Sequence, residues 1–333
     1  MPSIAIVYNE PIPGRYEALG EKTAVLGILE EVEAVNQALI ELGYSAVPVP
    51  LLPPIDRARQ TLNGLRADLV FNLFEGFDGS PETESAVAGM LSARGVPFTG
   101  CAGTALSRAL DKSTAKALLQ AAGIGTPAYH VLSVNSLATF HLRYPCIVKP
   151  CAEDASHGIS ERSVVNDGVS LGEQVELVCQ DFGGLALVEE YLEGREFNAT
   201  VLGAAEHLVL PISEIVYSLP DGMPKILAFP AKWEPESVYS RSTIPVCPAK
   251  IEPELQRELE SCAVSVFQLF GCSGYARVDF RLDAEGRPFV LEVNPNCDIS
   301  PTSGAARQAR AAGMSYVQFI DRIVRFALQD QAP

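Results

Sequence analysis

The sequence predicts an α/β fold, with a Rossmann-like parallel sheet at the N-terminus followed by a two-part α+β region. Three observations predict it. β-rich runs alternate with helical patterns over residues 1–100, the pattern changes at about residue 104, and a long helix near the C-terminus leads into an apolar hairpin. A β-α-β-α-β order implies parallel strands with helices packed on the sheet.

The first 100 residues supply the parallel sheet. The predicted elements are a strand at 3–8, a helix at 20–42, strands at 44–51 and 68–74, a helix from 81 and a closing segment at 96–100. Apolar residues at helical spacing define the first helix, and Gly43 is placed to end it. No G-x-G-x-x-G follows the first strand, and G-x-x-x-x-G-K-[ST] is absent from the chain, so neither phosphate motif predicts a nucleotide site.

The rest of the chain predicts shorter, mixed elements. In order they are a single helix at 107–123, strands at 144–150 and 163–166, a helix, strands at 185–192, 197–203 and 208–217, a long loop at 217–246, a helix at 253–271, a hairpin at 277–294 and a helix at 314–330. Such mixed strands and helices are typical of an α+β region.

Composition excludes several classes of function. The net charge is −16, from 41 acidic residues against 25 lysines and arginines, which argues against nucleic-acid or anionic-membrane binding. No apolar run reaches the ~18 residues of a membrane span, and the N-terminus has no signal-peptide pattern. Eight scattered cysteines without a C-x-x-C pair predict reduced thiols in a cytoplasmic protein.

The hairpin carries polar residues that packing alone does not require. Its apolar strands are interrupted by Arg277, Asp279, Glu292 and Asn294. If Asp283 lies opposite Pro288, Asp279 faces Glu292 and Arg277 faces Asn294 on one side of the sheet. Two opposed carboxylates repel, so either water solvates both or a cation lies between them. Two carboxylates and an amide oxygen suit Mg²⁺. The alternative is a hairpin with a solvated polar face.

Three upstream features could hold phosphates and a base. Lys149 ends a strand before Pro150, and Lys112 precedes a helix. In LVEEYLEGREF, the acidic residues Glu189, Glu190 and Glu196 surround an apolar Tyr191–Leu192 pair. That arrangement suits a base against apolar walls, with a carboxylate on a ribose hydroxyl. Surface lysines and a helix end are the alternative readings of these features.

Taken together, these motifs resemble the ATP-grasp superfamily, most closely its D-alanine–D-alanine ligase branch. The best stretches are GVPFTGCAGTALSRALDKSTAK, PCIVKP, VEEYLEGREF and GYARVDFRLDAEGRPFVLEVN. The resemblance covers nearly the whole chain. It implies a preATP-grasp domain at 1–103, a small ATP-grasp subdomain at 104–195 and a C-terminal subdomain with the hairpin at 196–333.

The resemblance also implies site residues. The ATP-binding residues would be Lys112, Lys149, Ser156, Glu189, Tyr191, Leu192 and Glu196. The ligands of Mg²⁺ or Mn²⁺ would be Asp279, Glu292 and Asn294. The catalytic residues would be Arg277, Lys232 and Ser303.

The implied reaction joins a small-molecule carboxylate to an amine through an acyl phosphate, with ATP as the phosphate donor. A homodimer is also what the resemblance implies. Two alternatives stay open, namely an ATP-grasp kinase that releases a phosphorylated product and a nucleotide-binding protein without turnover.

Several positions depart from the family pattern. Ala155 stands where the family has a serine, and Trp233 stands where it has a tyrosine. The family's N-terminal glutamate has no counterpart in register, although Glu30 and Glu31 are nearby. In the loop PNCDIS, Asp298 follows Cys297 at a position where a glycine is usual. Ser303 still roughly matches the family's serine. We therefore expect the part of the site that binds the nucleotide to be intact and the part that binds the amino-acid substrates to be altered.

Overall fold

A computed structural model of the chain describes residues 2–12, 14, 22–153, 156–203 and 206–329. Its N-terminal sheet is parallel, with strand order β2–β1–β3. The strands are β1 (Ser3–Asn9), β2 (Ser45–Leu51) and β3 (Leu69–Leu73), and the helices are α1 (Lys22–Glu41), α2 (Ile55–Gly64) and α3 (Glu82–Arg94). Phe98 extends the sheet through a parallel bridge to Val70. The predicted parallel sheet is confirmed.

Strand β1 is buried on both faces, as expected of a central parallel strand. Ile4 and Ile6 pack in the core that includes α1, and Val7 packs in a second core beneath α2 and α3. The elements predicted from the sequence do not include a helix between β2 and β3, and the structure adds α2 there. Helix α2 buries only Ala58 and Leu62, so its apolar periodicity is weak.

The predicted single helix at 107–123 is also wrong. The structure has two helices, α4 (Gly103–Leu110) and α5 (Lys112–Ala121). Asp111 between them has an extended backbone, and its Oδ1 accepts the N–H of Thr114 at 2.8 Å. This N-cap starts α5 at Lys112.

A four-stranded antiparallel sheet follows, in the order β4–β7–β5–β6. Its strands are β4 (Tyr129–Leu132), β5 (Cys146–Pro150), β6 (Val164–Val165) and β7 (Ala186–Glu190). Helix α6 (Gly168–Asp181) buries Leu171, Val175 and Val178 in the core shared with this sheet.

The six-stranded sheet runs β11–β10–β8–β12–β13, and β9 also pairs with β8. Its strands are β8 (Glu196–Gly203), β9 (His207–Val209), β10 (Ser213–Tyr217), β11 (Thr243–Val246), β12 (Gly274–Leu282) and β13 (Pro288–Pro295). The remaining helices are α7 (Phe229–Trp233), α8 (Val238–Ser242), α9 (Pro253–Phe270), α10 (Gly304–Ala311) and α11 (Tyr316–Gln329). Helix α9 packs on one face of the sheet, and α11 packs against α1.

The hairpin register agrees with the prediction at the four polar residues and differs from it next to the turn. Arg277 pairs with Asn294 and Asp279 pairs with Glu292, as predicted. Leu282, not Asp283, pairs with Pro288, because a β-bulge between Asp279 and Phe280 shifts the register by one residue.

The eight cysteines all lie in the described ranges and are free thiols. Over those same ranges, no helix is long and apolar enough to cross a membrane.

The contact between α3 and α4 gives a stability prediction. A Cβ added to Gly103 would lie 2.4 Å from the backbone oxygen of Ser85. We expect Gly103→Ala to lower the free energy of unfolding by about 1–3 kcal/mol, because the two helices must separate. Urea unfolding measures this change.

Gly89→Ala is the matched control, since a Cβ there meets nothing within 4 Å. Its higher helix propensity should stabilise the protein by up to about 1 kcal/mol. Equal effects of the two substitutions would contradict the packing argument.

Candidate active site

A cleft opens between the four-stranded and six-stranded sheets, and most of the predicted site residues line it. The predicted residues in its wall are Lys112, Lys149, Ser156, Tyr191, Leu192, Glu196, Lys232, Asp279 and Glu292. Glu189, Arg277, Asn294 and Ser303 lie outside its wall. The cleft therefore brings together residues that are up to 180 positions apart in the sequence.

At one end, Asp279 is held by two neighbours on its face of the hairpin. Arg277 donates through Nε to Asp279 Oδ1 at 2.7 Å and through Nη2 to Oδ2 at 2.9 Å. Asn294 Nδ2 donates to the same Oδ2 at 3.1 Å. Arg277 and Asn294 thus reach the cleft through Asp279, and the Nη1 group of Arg277 is outside this bidentate pair.

Glu292, opposite Asp279, has its own cation. Lys112 Nζ lies 2.7 Å from Glu292 Oε1 and also donates to the Glu153 carbonyl at 2.6 Å. Burial would raise the pKa of Glu292, but Lys112, with Lys149 and Lys232, holds that pKa at about 2. Glu292 is therefore ionised at neutral pH, as a metal ligand must be.

A buried ion-pair cluster lies beneath the cleft. Glu189 is 1% exposed and forms ion pairs with both Lys116 and Lys149. Lys116, also 1% exposed, donates to Thr126 Oγ1 at 2.8 Å, and Thr126 donates to the Val290 carbonyl at 2.8 Å. Although burial would raise it, the two lysines hold the pKa of Glu189 below its usual value. The cluster fixes Lys149 at the end of its strand.

Lys116 was missed by the sequence analysis. It lies four residues after Lys112, one helical turn further along α5. That i, i+4 spacing was the available signal, but a lysine on a helix is usually exposed.

At the opposite end, Glu196 is held by Tyr217 and Arg281. Its Oε2 accepts from Tyr217 Oη at 2.8 Å and lies 3.3 Å from Arg281 Nη1. Burial raises the pKa of Glu196, and Arg281 and the Tyr217 hydrogen bond partly offset that rise. Tyr191 lies beside them and accepts the Lys225 N–H through its Oη at 2.8 Å. Arg281 lines the cleft and, like the buried Lys116, is not predicted as a site residue from the sequence.

Two loops close over the cleft and hydrogen-bond to each other. Ser156 Oγ donates to the Leu227 carbonyl at 2.8 Å, and Phe229 N–H donates to the Ile159 carbonyl at 2.9 Å. Trp233, at the end of α7, packs against α1, since a Cβ on Gly27 would lie 3.2 Å from the indole ring. Ala155 lies outside the described residues.

The loop after the hairpin contacts the N-terminal domain. Glu31 is buried, and its Oε1 accepts the Ile299 N–H at 2.7 Å, whereas Glu30 is exposed. Burial, with repulsion from Asp298 and Glu75, raises the pKa of Glu31 well above its usual value.

Two neighbouring residues cap local structure. Asp298 Oδ1 accepts the Ser300 N–H at 2.8 Å, and Ser303 caps α10 by accepting the Ala306 N–H at 3.2 Å. Cys297 between them and the hairpin is buried. These contacts give the altered loop a defined conformation.

Comparisons with known proteins show the family to which the chain belongs. The family model described as "D-ala D-ala ligase C-terminus" matches residues 118–325. A D-alanine–D-alanine ligase of Gluconobacter oxydans is 32% identical over 299 residues, covering 89% of this chain and 92% of the relative. The chain belongs to the D-alanine–D-alanine ligase family.

Other relatives extend the comparison. An uncharacterized protein of Sinorhizobium fredii is 35% identical over 276 residues, covering 83% of this chain and 77% of that protein. The crystal structure of a D-alanine–D-alanine ligase from Bacillus anthracis has a TM-score of 0.75 at 21% identity and covers 99% of both chains. The VanG D-Ala:D-Ser ligase of Enterococcus faecalis has a TM-score of 0.74 at 20% identity and covers 98% of this chain and 100% of that one. These structural likenesses show the shared ATP-grasp fold.

The D-alanine–D-alanine ligase family consists of C–N bond-forming ligases that use ATP. The chain is therefore an ATP-grasp protein of the ligase class.

The buried cluster gives a second stability prediction. Lys116→Met should lower the free energy of unfolding by about 1–3 kcal/mol, because Glu189 loses its buried cation and keeps only the partly exposed Lys149. Chemical denaturation measures the loss, and the double substitution Lys116→Met with Glu189→Met should recover part of it.

Lys250→Met, at an exposed lysine, is the control and should change stability by less than about 0.5 kcal/mol. A Lys116→Met protein as stable as this control would contradict the assigned role of the cluster.

Proposed function

We propose that the protein is an ATP- and Mg²⁺-dependent ligase that joins a carboxylate to an amine through an acyl phosphate. The observation that carries the proposal is the pair of opposed carboxylates, Asp279 and Glu292, each held by a cation at one end of the cleft. Lys149 and Lys232 line the same cleft. Such an arrangement suits a nucleotide triphosphate and its metal ion.

The proposed nucleotide site uses both ATP-grasp subdomains. Residues 104–195 would contribute Lys112, Lys149 and Ser156 to the phosphates, and residues 196–333 would contribute Glu196 to the ribose. Glu189, Tyr191 and Leu192 would frame the adenine. Glu189 is engaged by two lysines in this structure, so it would meet the base as part of a charged cluster. Residues 1–103 would form the separate N-terminal domain.

The hairpin residues fit Mg²⁺ by their chemistry. The described residues contain no group of three or more His, Cys, Asp or Glu side chains able to hold a metal. Mg²⁺ needs only one or two carboxylates, because phosphate oxygens and water complete its shell. Asn294 donates its Nδ2 to Asp279, which leaves its amide oxygen available as a third hard ligand. Bound there, Mg²⁺, or Mn²⁺ in its place, would offset charge on the transferred phosphoryl group.

The protein's own residues would position the substrates and neutralise the negative charge of the phosphates. The substrate carboxylate attacks the γ-phosphate, releasing ADP, and the amine then attacks the acyl phosphate and expels phosphate. Lys149 and Lys232 would bind the phosphates, and the two linked loops would exclude water from the acyl phosphate. Arg277, fixed by Asp279, would present Nη1 to the oxyanion of the tetrahedral intermediate, and Ser303 would bind the second substrate.

We further propose that the substrates differ from two D-alanines. Asp298 binds the Ser300 N–H where the family has a glycine, Glu31 binds the same loop from α1, and Trp233 replaces a tyrosine. These differences all concern the part of the site that binds the amino-acid substrates. The substrates would be a small carboxylate and a small amine, and a homodimer is part of the same proposal.

The metal site has a direct test. Glu292→Gln should lower kcat by at least ~10²-fold, because it removes a charged ligand and the negative charge that pairs with Lys112. Steady-state ADP release measures the loss, and circular dichroism checks the fold.

Glu285→Gln, in the exposed turn of the same hairpin, is the matched control and should keep near-normal activity. Near-normal activity in the Glu292→Gln protein would refute the metal assignment.

The reaction class has a second test. ADP release is measured with Mg²⁺ across a panel of carboxylates, with and without amines, and products are weighed by mass spectrometry. The proposal predicts an amine-dependent adduct that has lost one water relative to its two substrates. A stable phosphorylated product without an adduct would identify a kinase instead.

A further inference from the structure

Arg281 lies on the working face of the hairpin. Side chains alternate along β12, so Arg277, Asp279 and Arg281 point to the same side of the sheet. Arg281 pairs across to Glu196 on β8 and lines the cleft. The position therefore places a third charged residue in the row that already holds Arg277 and Asp279.

The guanidinium of Arg281 is held in place by its neighbours, but one of its nitrogen atoms makes no hydrogen bond. Its Nε donates to the Gly194 carbonyl at 3.2 Å, and its Nη1 lies 3.3 Å from Glu196 Oε2. Its Cζ lies 5.1 Å from the ring centroid of Tyr191 and 5.8 Å from that of Tyr217. The side chain is thus fixed by an ion pair, a hydrogen bond and two aromatic rings.

The remaining nitrogen has no partner among the described residues. Arg281 is 4% exposed, and its Nη2 is buried without a hydrogen bond. A buried charged donor left unsatisfied is costly, and such groups are rare in folded proteins. In a residue that lines the cleft, an unused donor points to a ligand.

Glu196 has a matching unused acceptor. Tyr217 and Arg281 both engage Oε2, and no described residue bonds Oε1. The pair therefore offers one donor and one acceptor together. A hydroxyl complements both, because its O–H donates to a carboxylate while its oxygen accepts from a guanidinium.

We propose that Arg281 is a nucleotide-binding residue that, with Glu196, recognises a ribose hydroxyl of ATP. The inference rests on the proposed function, which places the ribose at Glu196. The Glu196 carboxylate accepts the hydroxyl proton, and Arg281 Nη2 donates to the hydroxyl oxygen. Arg281 then contributes to discrimination between ribonucleotides and deoxyribonucleotides.

Calorimetric binding to the full-length protein with Mg²⁺ tests this without knowledge of the other substrates. The probes are ATP, 2′-deoxy-ATP and 3′-deoxy-ATP. The wild-type protein should bind at least one deoxynucleotide about 10- to 100-fold more weakly than ATP, since a charge-assisted hydrogen bond is lost. In Arg281→Met, ATP should bind more weakly, and the penalty for that deoxynucleotide should fall at least about fivefold.

Tyr217→Phe is the matched control, because it also removes one donor to Glu196 Oε2. It should weaken binding of ATP and the deoxynucleotide by similar factors and so keep the discrimination. Arg281→Lys keeps the charge without the planar fork and serves as the second variant if Arg281→Met does not fold. It should also lose discrimination.

The outcomes separate the inference from the proposed function. An unchanged deoxynucleotide penalty in both Arg281 variants would overturn the role of Arg281, leaving it as a partner of Glu196 only. The expected binding pattern without any ligation product would uphold Arg281 and sink the ligase proposal. A wild-type protein that binds none of the three nucleotides would overturn both.

Discussion

Repulsion between Asp279 and Glu292 is the constraint around which the cleft is organised. They face each other on neighbouring strands, where like charges destabilise a sheet. Arg277 neutralises the first and Lys112 the second, and the two cations come from the hairpin and from the start of α5. The ion pair between Glu292 and Lys112 joins the hairpin to α5, and residues from both sheets line one cleft.

The same arrangement recurs beneath and beside the cleft. Glu189 is buried between Lys116 and Lys149, and Glu196 is held by Arg281 and Tyr217. Glu189 and Glu196 therefore each have at least one cationic partner, which offsets the cost of burying their charge. Although the net charge of the protein is −16, the cleft wall includes Lys112, Lys149, Lys232 and Arg281, so an anionic ligand as proposed would meet several cations there.

Much of this arrangement could be predicted from the sequence, and the gaps have physical causes. Alternation with period two correctly paired Arg277 with Asn294 and Asp279 with Glu292, because those pairs lie on the same side of the bulge. The bulge itself depends on tertiary packing, so the predicted pairing next to the turn differs from the observed pairing by one residue. Helix α2 was missed because it buries only two residues, and the break at Asp111 was missed because a single N-cap interrupts an otherwise continuous helical pattern.

The missed site residues have a different cause. Lys116 and Arg281 are long cationic side chains, a class that is normally exposed, and only the fold shows that both are buried beside acids. For Arg281 a signal did exist, since the alternation that linked Arg277 to Asp279 continues to position 281. The sequence singles out Glu31 and Trp233 as departures from the family pattern, but it does not predict their contacts with Ile299 and Gly27, because those depend on how α1 packs against the rest of the chain.

The fate of one oxygen atom tests the central claim most directly. A carboxylate substrate that supports amine-dependent ADP release is labelled with ¹⁸O, and the released phosphate is examined by mass spectrometry. An acyl-phosphate intermediate predicts that one carboxylate oxygen leaves with the phosphate in each turnover, because the amine displaces that oxygen from the carbonyl carbon. Phosphate without label, released alongside a ligated product, would contradict the proposed mechanism.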